Sequence, residues 1–296
     1  DDTVNKVLLI GNGAREHAIA LALIKGGADL LVQMTMANPG ITRLTRWCRI
    51  GPITKPESIR VSEDIDYAVI GPEAPLAAGV VDHLEARGVP CVGPTKRAAQ
   101  IETSKVFARR LLEDAAPHAN PMFVVARSPD EVQGAIKEIG LERVVVKPDG
   151  LTGGKGVKIF GEHLTSEDEV LEYAGSLIGK DGQVVIEERL EGQEFTVQCF
   201  VDGSHLVHMP LVRDYKRAFD GDKGPNTGSM GSYSQPDHML RYVSRQDLDS
   251  ALNIMRASIS ALHRKTGERY RGILYGQFMR TPDGVKVVEF NARFGD

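Results

Sequence analysis

The chain is poor in cysteine, in long apolar runs and in charge of any one sign. Its 3 cysteines in 296 residues, Cys48, Cys91 and Cys199, are odd in number and far apart. They make neither a disulfide framework nor a metal-ligand spacing, so three reduced thiols are expected. No stretch approaches the roughly 18 apolar residues that a membrane span needs. The opening Asp1-Asp2-Thr3-Val4-Asn5 lacks the basic region followed by an apolar stretch that marks a signal peptide, and it lacks a Met. A net charge of -4 gives no electrostatic reason to expect nucleic acid or an anionic membrane as partner. Local basic sites for phosphates stay open. No internal repeat and no low-complexity segment is visible. What remains is a cytoplasmic globular protein, long enough for two domains with their own cores.

From Lys6 to about Gly93, short apolar runs alternate with helical stretches. Val7–Ile10, Leu30–Met34, Tyr67–Ile70 and Val89–Val92 read as buried strands, with helices at Arg15–Ile24 and Leu76–Arg87. Strands alternating with helices imply parallel βαβ units. Around Pro94 the pattern changes. Thr95–Glu113 reads as helical, as do Glu167–Ile178 and Arg245–Thr266. Hairpin-like pairs dominate between and after them: Val144–Lys147 with Val157–Phe160, Val184–Glu188 with Glu194–Val201, and Ile273–Arg280 with Val285–Asn291. The expected organisation is α/β: a parallel-sheet, Rossmann-like domain over 1–103, then an α+β domain over 104–296 with a subdomain at about 121–190.

Four constellations carry chemistry. Gly11-Asn12-Gly13-Ala14-Arg15-Glu16-His17 lies between a strand and a helix, where exposed N–H groups favour an anion. A dinucleotide site would want glycine in place of Glu16 and an acid ending the second strand. That strand runs into Met34-Thr35-Met36, so a nicotinamide dehydrogenase is disfavoured; a tight turn without ligand stays open. The second constellation, Val144 to Val157, holds Lys147, Gly150, Gly153, Gly154, Lys155 and Gly156. Lys155 is followed by Gly156 and a strand, which excludes a Walker A loop. A glycine-rich hairpin tip above a strand lysine suits a triphosphate, with a bland mobile hairpin as the alternative. Third, Val184 to Glu194 is an apolar strand ending in acids, placed where one sheet could supply both walls of a nucleotide cleft. Fourth, in Val287 to Arg293, alternation puts Glu289, Asn291 and Arg293 on one face. A carboxylate and an amide oxygen two residues apart suit Mg²⁺ shared with phosphates, and Arg293 suits a transferred phosphoryl group. A solvated polar face is the alternative.

With these residues in hand, the sequence resembles the ATP-grasp superfamily and, within it, the phosphoribosylamine–glycine ligase family. The likeness is carried by Gly11 to His17, Asn38-Pro39-Gly40, Ile70 to Leu76, Ser104-Lys105, the glycine loop, Asp220 to Gly231 and Glu289 to Asp296. It implies ADP-forming ligation of glycine to 5-phosphoribosylamine through a glycyl phosphate, with ATP and Mg²⁺ or Mn²⁺, in purine biosynthesis. The resemblance makes Lys105 and Lys147 phosphate ligands and Gly153, Gly154, Lys155, Gly156 and Val157 a lid. Glu187, Glu188 and Leu190 would border the adenine, and Glu194 would hold the ribose. Glu289 and Asn291 match metal ligands, with Gln277 as a neutral third. Arg293, Lys216, Arg217 and Asp214 would serve catalysis. Arg213, Asp220, Asn226, Thr227 and Gly228 would form an acceptor wall, faced by Gly13, Arg15, Pro72 and Glu73. It also implies a monomeric intact enzyme and no nucleic-acid or membrane partner. The nearest rivals are another ATP-grasp carboxylate–amine ligase and a nucleotide-binding fragment without turnover. Three positions depart from the family pattern: Ser229 and Ala37 stand where glycine is usual, and the sequence ends at Asp296 inside a motif that normally continues, which implies a missing C-terminal domain.

Overall fold

The computed structural model describes residues 4–61 and 64–296; the reading of Asp1 to Thr3 lies outside them. Elements are numbered in chain order. The first sheet holds β1 (Lys6–Ile10), β2 (Asp29–Met34), β3 (Trp47–Ile50), β4 (Tyr67–Ile70) and β5 (Cys91–Val92), in the order β3-β2-β1-β4-β5. All its pairs are parallel. β1 and β4 are near-continuous apolar runs because both faces are covered there, whereas the edge strand β3 is largely exposed. Val7 and Leu9 point to one face, with Ala20 of α1 (Ala14–Lys25) and Ile41 of α2 (Pro39–Thr42). Leu8 and Ile10 point to the other and join the large core shared with the rest of the chain. The expected helix Leu76–Arg87 is in fact two, α3 (Glu73–Ala78) and α4 (Val80–Glu85). Gly79 breaks it with a φ of 86°, a left-handed geometry that favours glycine.

Thr95–Glu113 also divides, into α5 (Gln100–Thr103) and α6 (Lys105–Ala115). Ser104 lies between them in extended conformation and caps α6 by accepting from the Phe107 N–H, a role that interrupts the helix to satisfy its first donors. Next come β6 (Phe123–Ala126), α7 (Pro129–Ile139), β7 (Val144–Pro148), β8 (Lys158–Ile159), α8 (Glu167–Asp181) and β9 (Val184–Glu188). The four strands pair in the order β6-β9-β7-β8, and their apolar face packs with α7 and α8 into a separate core. β7 and β8 make the expected antiparallel pair, Val145 opposite Ile159.

The remaining large sheet is β10 (Gln193–Asp202), β11 (Leu206–His208), β16 (Arg271–Thr281) and β17 (Gly284–Asn291), ordered β11-β10-β16-β17. Its core includes residues of α9 (Arg245–Thr266). One expectation from the sequence needs correction: β9 and β10 are not a hairpin. β9 pairs with β6 and β7, whereas β10 pairs with β11 and β16. Gly192 explains the change of sheet. A side chain there would strike the Arg280 carbonyl oxygen at 1.9 Å, so only glycine lets the chain seat itself against β16. The cleft therefore runs between two sheets rather than along one. Between β11 and α9, two short ribbons form the cleft rim: β12 (Arg213–Asp214) with β15 (Ser232–Tyr233), and β13 (Arg217–Phe219) with β14 (Lys223–Asn226). Among the described residues no helix is long and apolar enough to cross a membrane.

Candidate active site

A cleft of about 580 Å³ opens between the two antiparallel sheets, roofed by the β7–β8 loop and closed on one side by the β12–β15 ribbons. Its floor is built by a buried charge cluster. Glu187 of β9 accepts from Arg109 Nε at 2.6 Å and Nη2 at 3.0 Å, and Lys147 Nζ of β7 stands 2.8 Å from it. Arg109 also donates to the carbonyls of Val287 and Val288 on β17. One guanidinium thus fastens β9 to β17. Burial opposes ionisation of Glu187, but Arg109 and Lys147 outweigh it and bring its carboxyl down to about 2. A carboxylate so engaged holds Arg109 and Lys147 in place. The Glu188 carboxylate is also occupied, by the Met122 N–H and by Arg143.

The lid is anchored at its base by Asp149, which the sequence pattern did not single out. Its carboxylate accepts from the Ser104 hydroxyl, the Val106 N–H and Gln183, and its carbonyl accepts from the Lys105 N–H at 3.1 Å. The start of α6, with Lys105, is thereby locked to the lid's first residue. Beyond it, Gly153 and Gly154 take φ of 61° and 77°, and Thr152, Gly153, Gly154 and Val157 line the cleft. Lys155 and Gly156 lie on the lid but outside the lining; Gly156 is held from behind, its carbonyl accepting from Tyr173.

Opposite the lid, β16 and β17 place Gln277 beside Glu289 as cross-strand neighbours. Lys216 Nζ bridges the two, 2.8 Å from Glu289 Oε1 and 2.9 Å from Gln277 Oε1. The Gln277 amide nitrogen donates to Glu194 Oε2 at 3.0 Å, and burial raises the Glu194 carboxyl. Burial likewise opposes charge on Glu289, yet Lys216, Lys105 and Lys147 together hold it well below the usual carboxylate range. Asn291 satisfies its neighbours when its amide nitrogen donates to Glu102 Oε2 at 2.9 Å, which leaves its oxygen as an acceptor. Glu102 also accepts the Ala292 N–H; burial, against the pull of Arg293, pushes its carboxyl up to about 7. The oxygens of Glu289, Gln277 and Asn291 are of the hard kind that hold Mg²⁺, and an ammonium already bridges two of them. Among the described residues there is no cluster of three or more His, Cys, Asp or Glu side chains that could hold a metal by itself. A cation here would need oxygens from outside the protein, of phosphate or water, to complete its shell.

The rest of the lining is less uniform. Arg293 donates to Glu73 at 3.2 Å, and Arg15 donates to the Gly71 carbonyl and pairs with Asp296. Arg15, Glu73 and Arg293 line the cleft; Gly13 and Pro72 are not part of the lining. The Arg15 and Arg213 Nε atoms are buried without a hydrogen-bond partner. Asp214 accepts from Ser229 at 2.6 Å and from Tyr275 at 3.1 Å. Arg217 is paired with Glu162 and donates to the Gly224 carbonyl. Asn226, Thr227 and Gly228 reach the cleft, whereas Asp220 stays at the exposed ribbon tip and Asp222 takes its place in the lining. Arg109, Glu102 and Asp149 are the functional residues that sequence reasoning missed; only Asp149, inside the glycine-loop segment, carried a local signal.

With this geometry described, comparison with known proteins accounts for almost the whole chain. Residues 5–102 match the family model "Phosphoribosylglycinamide synthetase, N domain", and residues 103–296 match "Phosphoribosylglycinamide synthetase, ATP-grasp (A) domain". The chain is 50% identical over 295 residues to the phosphoribosylamine–glycine ligase of Methanoregula boonei, covering 98% of this chain and 68% of that protein. It is 49% identical to the one of Pyrococcus furiosus, covering 98% and 66%. The crystal structure of the Thermotoga maritima phosphoribosylamine–glycine ligase superposes with a TM-score of 0.78 at 33% identity, covering 98% of this chain and 69% of that one. An ADP complex of N5-carboxyaminoimidazole ribonucleotide synthetase, at 15% identity and a TM-score of 0.75, shares the fold.

Proposed function

The chain belongs to the phosphoribosylglycinamide synthetase family of ADP-forming, ATP-grasp ligases of purine biosynthesis, and from that premise we propose how its cleft works. The chain spans 68% and 66% of the length of the two relatives named above, so we assign roles only to the residues it contains. ATP lies between the two antiparallel sheets, its adenine bordered by the backbone from Glu187 to Leu190 and its ribose on Glu194. Lys105, Lys147 and the lid glycines hold the triphosphate. Glu289, Asn291 and Gln277 hold Mg²⁺ or Mn²⁺, which when bound neutralises charge on the phosphate oxygens. We place the boundary between the two domains at 103/104, the lid subdomain at about 121–190, and the protein in the cytoplasm, with the intact enzyme a monomer.

Glycine's carboxylate attacks the γ-phosphate in line and ADP leaves; the amine of 5-phosphoribosylamine then attacks the carbonyl carbon of the glycyl phosphate, forming the amide as the C–O bond to phosphate breaks, with inorganic phosphate expelled and the amine's proton lost to solvent. Arg293, Lys216 and Arg217 supply positive charge at the reacting end and Asp214 an acceptor for an ammonium. Arg15, Glu73, Arg213 and the Asn226–Gly228 segment face the acceptor. Positioning and charge neutralisation do the work in such transfers, so no general base is assigned. The observation that carries this reading is the convergence on one cleft of two lysines at the base of a glycine lid and the Glu289–Gln277–Asn291 oxygens opposite. The test is ADP release measured with glycine and phosphoribosylamine added singly and together. Release that requires both supports the reading; release indifferent to either substrate contradicts it.

A further inference from the structure

We infer that Lys216 is the resident counter-ion of the metal site, and that a divalent cation must displace its ammonium before the cleft is competent. The inference rests on the metal assignment proposed above. Lys216 Nζ donates to Glu289 Oε1 and to Gln277 Oε1, so it already holds an oxygen of each side chain that would hold the metal on β16 and β17. A lysine ammonium is a compact point charge with three donors, suited to bridging them. Mg²⁺ approaches its oxygens to about 2.0–2.1 Å in octahedral geometry. An ammonium hydrogen-bonded to those oxygens would then lie within a few ångströms of a dication, with like charges facing across shared ligands. Both cannot stay.

The surroundings are arranged for one cation to leave and another to arrive. Lys147 cannot take over, because it is committed to Glu187 at 2.8 Å. The Lys216 main chain is fixed: its carbonyl accepts from the Thr227 N–H and hydroxyl. Its side chain is not fully enclosed, being 22% exposed at the cleft wall, so it has a path out. Gln277 keeps its aim without the lysine, since its amide nitrogen is held by Glu194. The other groups around the ammonium are Asp214, whose oxygens accept from Ser229 and Tyr275, the Glu194 carboxyl, and the Tyr275 ring, 5.7 Å away. Glu289 is therefore never left without a cation. In the metal-loaded cleft the freed ammonium stays on the wall beside the reacting phosphates.

The experiment is a Mn²⁺ titration by electron paramagnetic resonance on the ADP-saturated chain, native and as Lys216→Met, Glu289→Gln and the double variant. Lys216→Met should bind Mn²⁺ more tightly than the native chain, on the order of tenfold, the size of effect a nearby like charge has on an ionic equilibrium. Without metal, Lys216→Met should melt below the native chain and gain more from added Mn²⁺, while Lys216→Met with Glu289→Gln should recover most of the loss. Lys216→Gln, which still offers a donor to Glu289, serves the same titration should Lys216→Met not fold. Binding by the Lys216 variants no tighter than native, including no binding in any form, overturns the inference. A Glu289→Gln chain that binds Mn²⁺ as the native one does would instead sink the metal assignment, and the two failures are told apart by that arm.

Discussion

Two lysine–carboxylate clusters line the cleft, and they are built differently. On the lid side, Glu187 is gripped by Arg109 and Lys147, with Arg109 and Glu187 each 4% exposed. On the metal side, Glu289 has Lys216 as its close ion-pair partner, and the pair is 22% and 25% exposed. A buried carboxylate with a bidentate guanidinium and an ammonium has no reason to release either. A partly exposed one with a single lysine can exchange it. The first cluster fixes geometry; the second is where ions change places.

The comparison breaks most sharply at its chemical end. Glu289→Ala should lower glycine-dependent ADP release by about 10³-fold, comparable to losing a strong transition-state contact, with an unchanged circular dichroism spectrum. Near-native turnover would remove the metal assignment. The closed cluster should respond in stability instead. Arg109→Met leaves Glu187 buried with too little charge around it, at a cost of about 3–5 kcal/mol in denaturant unfolding; a double variant with Glu187→Gln should regain much of that. A loss below ~1 kcal/mol for Arg109→Met, the range of an exposed ion pair, would mean that the cluster is open to solvent after all.

Acid sharpens the same contrast. Glu187 has its carboxyl lowered from 4.5 to about 2, so the folded state binds fewer protons than the unfolded one between those values. Its contribution is complete above about pH 4.5 and is lost as pH falls toward 2. Glu187→Gln should flatten that part of the stability profile, and an unchanged slope would contradict it. The smallest effect is expected at Ser229, whose hydroxyl links Asp214 to the Gly231 N–H. Ser229→Gly should raise the glycine KM only a few-fold, in line with about 0.5–1.5 kcal/mol for one hydrogen bond, and leave stability unaltered.

Local chemistry was legible in the sequence. The β1 turn, the glycine lid and the Glu289–Asn291 pair announce themselves by spacing, and the parallel sheet follows from apolar runs alternating with helices. Three things were not legible. Arg109 lies 78 residues before Glu187, and an arginine on an amphipathic helix carries no mark of a distant partner. The break at Gly79 and the cap at Ser104 interrupt patterns that remain helical in periodicity. Leu190-Glu191-Gly192 reads as a hairpin turn because glycine favours turns, whereas Gly192 is glycine for its close approach to the Arg280 carbonyl. That single contact decides whether one sheet or two make the cleft.

Everything proposed for this chain depends on the two-sheet cleft binding metal–ATP beneath the Gly150–Gly156 lid. Amide hydrogen exchange across the chain, with and without saturating ATP and Mg²⁺, tests that binding directly. Exchange should slow in the lid and at the α6 start that Asp149 ties to it, with α1 and its parallel sheet unchanged. Equal exchange of the lid in the two states would contradict it.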